Sequence, residues 1–309
     1  MVPGMLIRAM SSVACALFVL AACGTSTTGG AAPSTPPSAS ATTENKTSAE
    51  NKAAAVQAAK ADCMKGKGFK YIPYVPPEKK KTAMEVKLES GDYAAMKAHR
   101  EKYGFGIFSE YIYPGEIGLS VATAEREKNP NSKITDSLSS AQHDQYNKAD
   151  LACTAKAVKQ VLDKDIDRPM DYYNQRASLR DTLVGQEINS DPELLRLANS
   201  MADCLKAKGY PVTNTKPSEV KDVGELQVTK ELARLGRAQG EKDAKTFAKR
   251  EGLAPFPMPR LTADQARPHL AQEVKHAMAN LDCGKDFYAA YTPKMTDLTV
   301  RLDAEYVLF

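Results

Sequence analysis

The sequence contains no tryptophan, only four histidines and only six cysteines among its 309 residues. So small a supply of nitrogen and sulfur ligands leaves little material for a metal cluster. Concentrated charge of one sign is also missing, because 42 Lys and Arg residues against 38 Asp and Glu residues leave a net charge of +4. Nucleic-acid binding proteins concentrate basic residues, so nucleic acid is not an expected partner.

Catalytic sequence motifs are lacking as well. The chain has no GxxxxGK[ST] phosphate loop, no GxGxxG fingerprint and no HExxH zinc motif. The segment Gly118–Ala122 lacks the second glycine of the GxSxG nucleophile elbow. The mean hydropathy of −0.43 excludes a polytopic membrane protein and is typical of a soluble folded body. These absences favour a protein that is not an enzyme and that needs no cofactor.

The N-terminus has the organisation of a signal peptide. Arg8 stands in a short basic region, and the apolar run from about Met10 to Leu20 is too short to span a bilayer about 30 Å thick. The run ends in Leu20-Ala21-Ala22-Cys23, which resembles the lipobox of bacterial lipoproteins. That resemblance implies removal of residues 1–22, acyl chains such as palmitate on Cys23, and a lipid-anchored protein on the extracytoplasmic face of the cell membrane. The alternative is an ordinary secretory signal with an incidental cysteine.

A tether and a folded body follow the predicted cleavage site. Residues 23–46 are mostly Ser, Thr, Pro, Gly and Ala, with almost no large apolar side chain. Such a segment cannot bury enough surface to offset its ordering entropy, so we expect a disordered tether that lifts the body off the membrane. The body divides at an internal repeat into two helical modules, 47–190 and 191–309.

The repeat is a nonapeptide that occurs once in each half. Ala61–Phe69 (ADCMKGKGF) recurs as Ala202–Tyr210 (ADCLKAKGY), with six of the nine positions identical. Lysines followed by glycine and an aromatic residue are typical of a Schellman stop, in which Gly68 and Gly209 adopt the left-handed conformation. A phosphate-binding loop is the less favoured alternative.

The spacing of apolar residues predicts a mainly α fold, built from two duplicated, disulfide-closed helical modules with short extended connectors. No window has the Val- and Ile-rich alternation of a parallel sheet. Ser139–Gln142 and Thr262–Gln265 have the form of capping boxes, and Asp191-Pro192 is typical of a helix start. The predicted helices span 49–67, 92–102, 139–163, 173–189, 192–208, 225–250, 262–285 and 294–307, with extended pieces over Tyr71–Val75 and Phe105–Tyr113.

Four cysteines remain once Cys15 is removed with the signal peptide and Cys23 is lipidated. An even number in an exported protein favours disulfides, and four cysteines allow three pairings. If the halves are equivalent modules, each closes on itself, which predicts the disulfides Cys63–Cys153 and Cys204–Cys283. A four-thiolate zinc site is disfavoured, because every cysteine stands alone rather than in a close pair.

One predicted helix carries His269, Glu273 and His276 on a single face, with the ExxH spacing of di-iron bundles. The chain has no second ExxH. The two histidines lie two turns apart, roughly 10.5 Å along the axis, which is too far for both to bind one ion at about 2.1 Å. We therefore expect no metal site here and a half-exposed helix face.

Aromatic residues concentrate in two connectors of the first half, and the second half has no matching set. Aromatic side chains give a large contact area at low entropy cost. If the protein has a ligand or partner groove, we therefore expect it on these connectors, Tyr71–Pro76 and Tyr103–Tyr113. The alternative, that the rings cover a small core, is favoured by the scarcity of other large apolar residues in this half. The candidate binding residues are Tyr71, Tyr74, Phe105, Phe108, Tyr111 and Tyr113.

The chain as a whole resembles uncharacterised envelope lipoproteins of high-GC Gram-positive bacteria, with a Thr-, Ser-, Pro- and Gly-rich tether before helical modules with paired cysteines. The expected function is a non-enzymatic, membrane-tethered binding or adaptor protein whose partner is a small ligand or an envelope protein. One alternative is a regulatory or structural lipoprotein that acts on a membrane partner. Another is a cell-envelope hydrolase, which a carboxyl group with a raised pKa in a deep pocket would favour.

Overall fold

The computed structural model describes residues 39–77, 80–116, 128–247 and 258–307, and their side chains except those of 39–48 and 241–247. The predicted signal peptide, the lipidation site Cys23 and the first part of the predicted tether lie outside these residues. No helix within the described ranges combines the length and the apolar character needed to cross a membrane.

The fold is mainly α-helical, as predicted, and the described residues contain no β-strand. The helix Pro169–Leu183 continues directly into a π-helical turn at Val184–Ile188. In the described part of the chain the helices are α1 (Ala39–Gly66), α2 (Ala83–Glu89), α3 (Tyr93–Tyr103), α4 (Pro130–Asp136), α5 (Ser140–Leu162), α6 (Pro169–Leu183), α7 (Pro192–Ala207), α8 (Pro217–Val220), α9 (Glu225–Phe247), α10 (Ala263–Cys283) and α11 (Lys285–Glu305).

Helix starts follow the capping signals of the sequence. At the start of α5, the Ser139 side chain accepts the backbone N–H of Gln142, and the Gln142 side chain accepts the backbone N–H of Ser139. Thr262 and Gln265 make the same reciprocal pair at the start of α10. Asp191 caps α7 and is followed by proline at the first helical position. These side chains accept hydrogen bonds from backbone N–H groups that have no carbonyl acceptor within the helix. Both predicted capping boxes are confirmed.

The two copies of the repeat end their helices in the same way. Gly209 has a φ of +84°, and the N–H of Tyr210 donates to the carbonyl of Leu205 over 3.0 Å. The same bond and a φ of +82° occur at Gly68, beyond the end of α1. Glycine adopts this left-handed conformation without the steric cost that a Cβ imposes. The predicted Schellman stops are confirmed.

Both predicted disulfides are present. Cys63 of α1 is bonded to Cys153 of α5, and Cys204 of α7 is bonded to Cys283 at the end of α10. Since α1 packs along α5 and α7 packs against α10, each disulfide crosslinks two helices that are already in contact. Their sequence separations of 90 and 79 residues mean that each constrains a long loop of the unfolded chain.

The largest hydrophobic cluster lies around α7. Apolar residues recur along this helix at the three- and four-residue spacing of a single face, which therefore packs against α10 and α11. Full burial of each large apolar side chain contributes about 1.5–3 kcal/mol. The buried members from α7 are Leu194, Leu197, Ala198, Met201, Ala202 and Leu205.

The two sequence halves pack against each other. Helix α3 of the first half lies against α10 of the second, where Arg100 Nη1 donates to Asn280 Oδ1 over 2.8 Å. The last helix, α11, packs against α1, and Tyr306 just beyond it joins a buried cluster with Val56. The described residues from Ala39 to Val307 accordingly form one compact unit. The division into duplicated modules at 190/191 stays a prediction.

Two helix starts differ from prediction by about ten residues, and α6 begins at Pro169 instead of the predicted residue 173. Helix α1 begins at Ala39, inside the predicted tether, because no proline or glycine interrupts residues 39–65. Helix α11 begins at Lys285, although Pro293 within it suggested a later start. The side chains before that proline include buried aromatic rings, and their packing maintains the helix through a residue that disfavours it.

The predicted extended pieces are irregular. The segment Phe105–Tyr113 forms turns and one turn of 3₁₀-helix at Ser109–Tyr111, and Tyr71–Val75 has no regular secondary structure. Neither segment has a strand partner among the described residues. Both are instead attached to helices by side-chain hydrogen bonds and ring packing.

Candidate functional site

A groove of about 820 Å³ lies beside the first disulfide. It lies between the segment that follows α1, the short helix α4 and the first turns of α5. A volume in this range is typical of sites for small organic molecules. We call it the lysine groove, and its lining residues are Gly68, Phe69, Lys70, Ile72, Lys128, Asn129, Pro130, Lys133, Ile134, Ser137, Leu138, Gln142 and Tyr146.

The Schellman stop of α1 positions one wall of the lysine groove. The chain turns at Gly68, so that the ring of Phe69 packs edge-on against Tyr146 of α5, with ring centroids 5.5 Å apart. The opposite wall is attached through Asn131 of α4, whose buried amide accepts the N–H of Ile72 over 2.9 Å and donates to its carbonyl over 2.8 Å. These contacts hold the two walls in place without a ligand.

The charge of the lysine groove is unbalanced. Three lysines line it, and no aspartate or glutamate among the described residues does. Lys70 and Lys133 make no ion pair and no side-chain hydrogen bond within the part of the chain that the structure describes. The lining therefore offers two exposed ammonium groups above an apolar floor.

Tyr146 lies at the floor of the lysine groove. Its side chain is only 3% exposed, and its hydroxyl has no hydrogen-bond partner among the described residues. Burial raises the pKa of Tyr146 to about 12, with further contributions from Asp150 and Tyr71. The phenol is consequently neutral at physiological pH and keeps a free O–H donor.

The first predicted aromatic connector borders this groove but binds mainly to α1. The hydroxyl of Tyr71 donates to Gln57 Oε1 over 2.8 Å, and the N–H of Tyr74 donates to the same oxygen over 3.4 Å. Burial raises the pKa of Tyr71 to about 12. Neither ring lines the lysine groove, whereas Ile72 between them does. Tyr71 and Tyr74 therefore lie next to the lysine groove without lining it, and their predicted role in binding stays a prediction.

The second predicted connector packs into a different cluster. Phe108 is 1% exposed and lies among apolar side chains of α9 and α10, with its ring stacked on His269 at 4.9 Å. Phe105 and Tyr113 are half-buried at the same cluster, and the Tyr111 hydroxyl donates to the Pro259 carbonyl over 2.9 Å. These rings cover a small core, as the alternative prediction stated. Phe108 in particular is too deeply buried to serve as a binding residue.

The prediction that Glu273 lies on a half-exposed helix face is wrong. Its side chain is fully buried, and its carboxylate accepts N–H groups from the second connector: Phe105 over 2.7 Å, Ile107 over 2.8 Å and Phe108 over 2.8 Å. Burial outweighs these hydrogen bonds and raises its pKa. The residue fastens an irregular segment to α10, because free backbone N–H groups inside a protein require an acceptor.

Gly104 makes room for this carboxylate. A Cβ at that position would lie 2.5 Å from Glu273 Cγ, and the residue has a φ of +62° that favours glycine. The neighbouring histidines have other contacts, since Nδ1 of His276 is 2.9 Å from the Tyr210 hydroxyl. Within the described residues, no three His, Cys, Asp or Glu side chains are grouped to hold a metal ion.

Two described glutamates have a raised pKa, and neither lines the lysine groove. Glu273 contacts backbone N–H groups, as above. Burial and the nearby charge of Asp222 raise the pKa of Glu225. A second, smaller groove of 330 Å³ beside this region is lined by Glu219 and Asp222 together with Lys230, but not by Glu225.

Comparison with known proteins adds no relative. No family model, curated protein or solved structure matches this chain. Among the described features, the lysine groove has the volume, the apolar floor and the unpaired charges that a binding site requires.

Proposed function

We propose that this protein is a lipid-anchored binding protein of the extracytoplasmic face of the cell membrane, and that it binds a small ligand in the lysine groove. The observation that carries the proposal is the composition of the groove. A cavity of about 820 Å³ has an apolar floor and no described carboxylate in its lining. It holds Lys70 and Lys133, which have no partner elsewhere in the described chain. Pockets of this kind bind ligands with few, well-placed polar groups.

Two features support the location. The lipobox resemblance at Leu20-Ala21-Ala22-Cys23 implies acylation of Cys23, and two or more acyl chains anchor a protein stably where one does not. Two disulfides close the folded unit, which is typical of proteins that work in an oxidising compartment outside the cytoplasm. The folded residues beyond the tether then lie close to the membrane surface.

The location is tested by metabolic labelling with palmitate. We expect the wild-type chain to incorporate the label and to sediment with membranes. The Cys23→Ser variant has no thiol to acylate, so it should remain unlabelled. Label on Cys23→Ser, or an unlabelled wild-type chain, would contradict lipid anchoring.

Binding in the lysine groove is tested by lysine acetylation of intact cells with a membrane-impermeant reagent. Lys70 and Lys133 are exposed and unpaired, so an occupied groove should slow their acetylation relative to the delipidated, dialysed protein. Lys156 of α5, which is exposed and does not line the groove, is the control. Equal rates at Lys70 and Lys133 in both samples would contradict ligand binding there.

A further inference from the structure

We infer that the ligand of the lysine groove is a small anionic amphiphile, with a carboxylate or phosphate head at Lys70 and Lys133 and an apolar body on the groove floor. The inference deepens the proposed function, because it names the chemical class of the bound molecule. It depends on the charges, on the floor and on the polar side chains that already have partners.

The charges favour an acidic head group. Among the described residues, every charged side chain that lines the lysine groove is a lysine. Hydrogen bonds in which a donor or acceptor is ionised are about twice as strong as neutral ones, so a carboxylate or phosphate gains most from this lining. The chain's own tether is a poor occupant by this criterion, because residues 24–38 contain no charged side chain.

The floor favours an apolar body. Phe69, Ile134 and Leu138 are half-buried and Ile72 is 37% exposed, and all four line the lysine groove. An inorganic anion would contact the ammonium groups but leave this surface in water. A ligand that covers the floor gains the free energy of apolar burial in addition to the ionic contacts.

The neutral polar groups of the lining are engaged in capping. Asn129 accepts the N–H of Asn131, Gln142 completes the capping box of α5, and the Ser137 hydroxyl donates to the Ile134 carbonyl over 2.7 Å. A neutral polar ligand would therefore find few free partners. Lys70, Lys133 and the Tyr146 hydroxyl are the lining groups without a partner in the described chain.

The second half supplies an internal comparison. The segment after its Schellman stop also borders a groove, beginning at Pro211, but that groove is smaller, at 330 Å³. Its lining includes Glu219 and Asp222 beside Lys230, so its formal charge is negative. The same helix-stop element thus borders two grooves of opposite charge, and only the first suits an anion.

The test measures three probes by titration calorimetry on the full, acylated chain in phosphatidylcholine nanodiscs, with empty nanodiscs as the blank. Octanoate carries both the acidic head and the apolar chain, 1-octanol has the chain alone, and inorganic phosphate has the charge alone. We expect octanoate to bind once per chain. The other two should bind at least about tenfold more weakly, because each lacks one of the two contacts.

The double variant Lys70→Glu, Lys133→Glu should weaken octanoate binding by at least about tenfold, since two attractive charges become repulsive. Lys230→Glu in the second groove is the matched control and should bind octanoate as the wild type does. Because Lys70 and Lys133 are exposed and unpaired, we expect the double variant to fold as the wild type does. An unchanged circular dichroism spectrum would show this.

Three results would overturn the inference. They are equally tight binding of octanol, equally tight binding of phosphate, and octanoate binding that survives the double charge reversal. Loss of octanoate binding when phosphatidylglycerol replaces phosphatidylcholine would assign the groove to lipid head groups instead of a free molecule. These outcomes are distinct from failure of the proposed function, which would appear as unprotected Lys70 and Lys133 in cells.

Discussion

At the scale of single residues, buried polar groups separate structural from ligand-binding roles. Glu273 is buried with its carboxylate saturated by backbone N–H groups, so its role is to hold the second connector on α10. Tyr146 is buried beside the lysine groove, and its hydroxyl has no partner in the described chain. A buried polar group without a partner costs stability, so its retention suits a ligand that supplies the missing bond.

Glu273→Gln tests the structural role. The amide keeps one accepting oxygen but presents an NH₂ group to a backbone N–H, so we expect the free energy of unfolding to fall by about 1–3 kcal/mol. The pKa of Glu273 is raised in the folded state, so folding favours its protonated form. Its contribution to stability is then fully present below the ordinary value of 4.5 and declines as the pH rises through the folded pKa.

Urea denaturation of the wild type and Glu273→Gln over a range of pH measures this effect. The difference in unfolding free energy between them should be larger below pH 4.5 than at neutral pH. A difference that grows toward neutral pH would mean that the ionised carboxylate is the form that folding favours.

Tyr146→Phe tests whether the orphan hydroxyl contributes to the fold. Removing an O–H that makes no hydrogen bond should leave the free energy of unfolding unchanged or raise it by up to about 1 kcal/mol. Tyr71→Phe is the control, because its hydroxyl binds the buried Gln57 and its loss should cost about 1–2 kcal/mol. Equal destabilisation by both substitutions in chemical denaturation would refute the assignment for Tyr146.

At the scale of elements, helix limits were predictable where local chemistry sets them. Capping boxes, Schellman stops and the apolar face of α7 are encoded within a few residues, and the structure has them where the sequence indicated. The short helices α2, α4 and α8 were missed because four to seven residues give too little periodicity to detect. The start of α11 was missed because packing overrides the local effect of Pro293.

The candidate site was less predictable than the helices. The sequence indicated the connector after α1, but it could not show that α4 lies opposite and supplies Lys133. That contact depends on Asn131 binding the backbone of Ile72, 59 residues earlier in the chain. A single sequence contains no local pattern that predicts such a hydrogen bond. Likewise, the spacing of Glu273 on its helix suggested an exposed face, and only the fold shows which segment covers it.

Alanine substitutions at the repeated glycines test the helix stops. Gly68→Ala and Gly209→Ala meet no atom within 4 Å but must adopt a positive φ, so each should cost about 1–2 kcal/mol. Gly66→Ala is the control, because it lies within α1 with open space around it and should stabilise by about 0.5–1 kcal/mol. Thermal denaturation of the three variants measures these shifts. Similar effects at Gly66 and Gly68 would contradict the Schellman assignment.

At the scale of the whole molecule, a repeated sequence element in each half coexists with one compact unit. Helix α3 of the first half packs on α10, and α11 returns to α1, so neither half closes a core alone. Each disulfide nevertheless stays within its own half. The covalent crosslinks therefore stay within the sequence halves, and the noncovalent packing unites the halves.

Scanning calorimetry of disulfide variants tests this arrangement. Replacing Cys63 and Cys153 by alanine should lower the free energy of unfolding by about 2–5 kcal/mol, and replacing Cys204 and Cys283 should have a similar effect because the loops are of similar length. Since the halves share their packing, each variant should still unfold in one transition. Two separate transitions, only one of which responds to each pair, would instead show independent modules.

Native mass spectrometry of the acylated chain, extracted gently from its own membrane, tests the central claim most directly. The account predicts a protein mass increased by the acyl chains and by one small noncovalent ligand. That ligand should be absent from the Lys70→Glu, Lys133→Glu variant prepared in the same way and present in Lys230→Glu. A chain that emerges without any small ligand, or that carries one equally in the double variant, would contradict the claim that the lysine groove is a binding site.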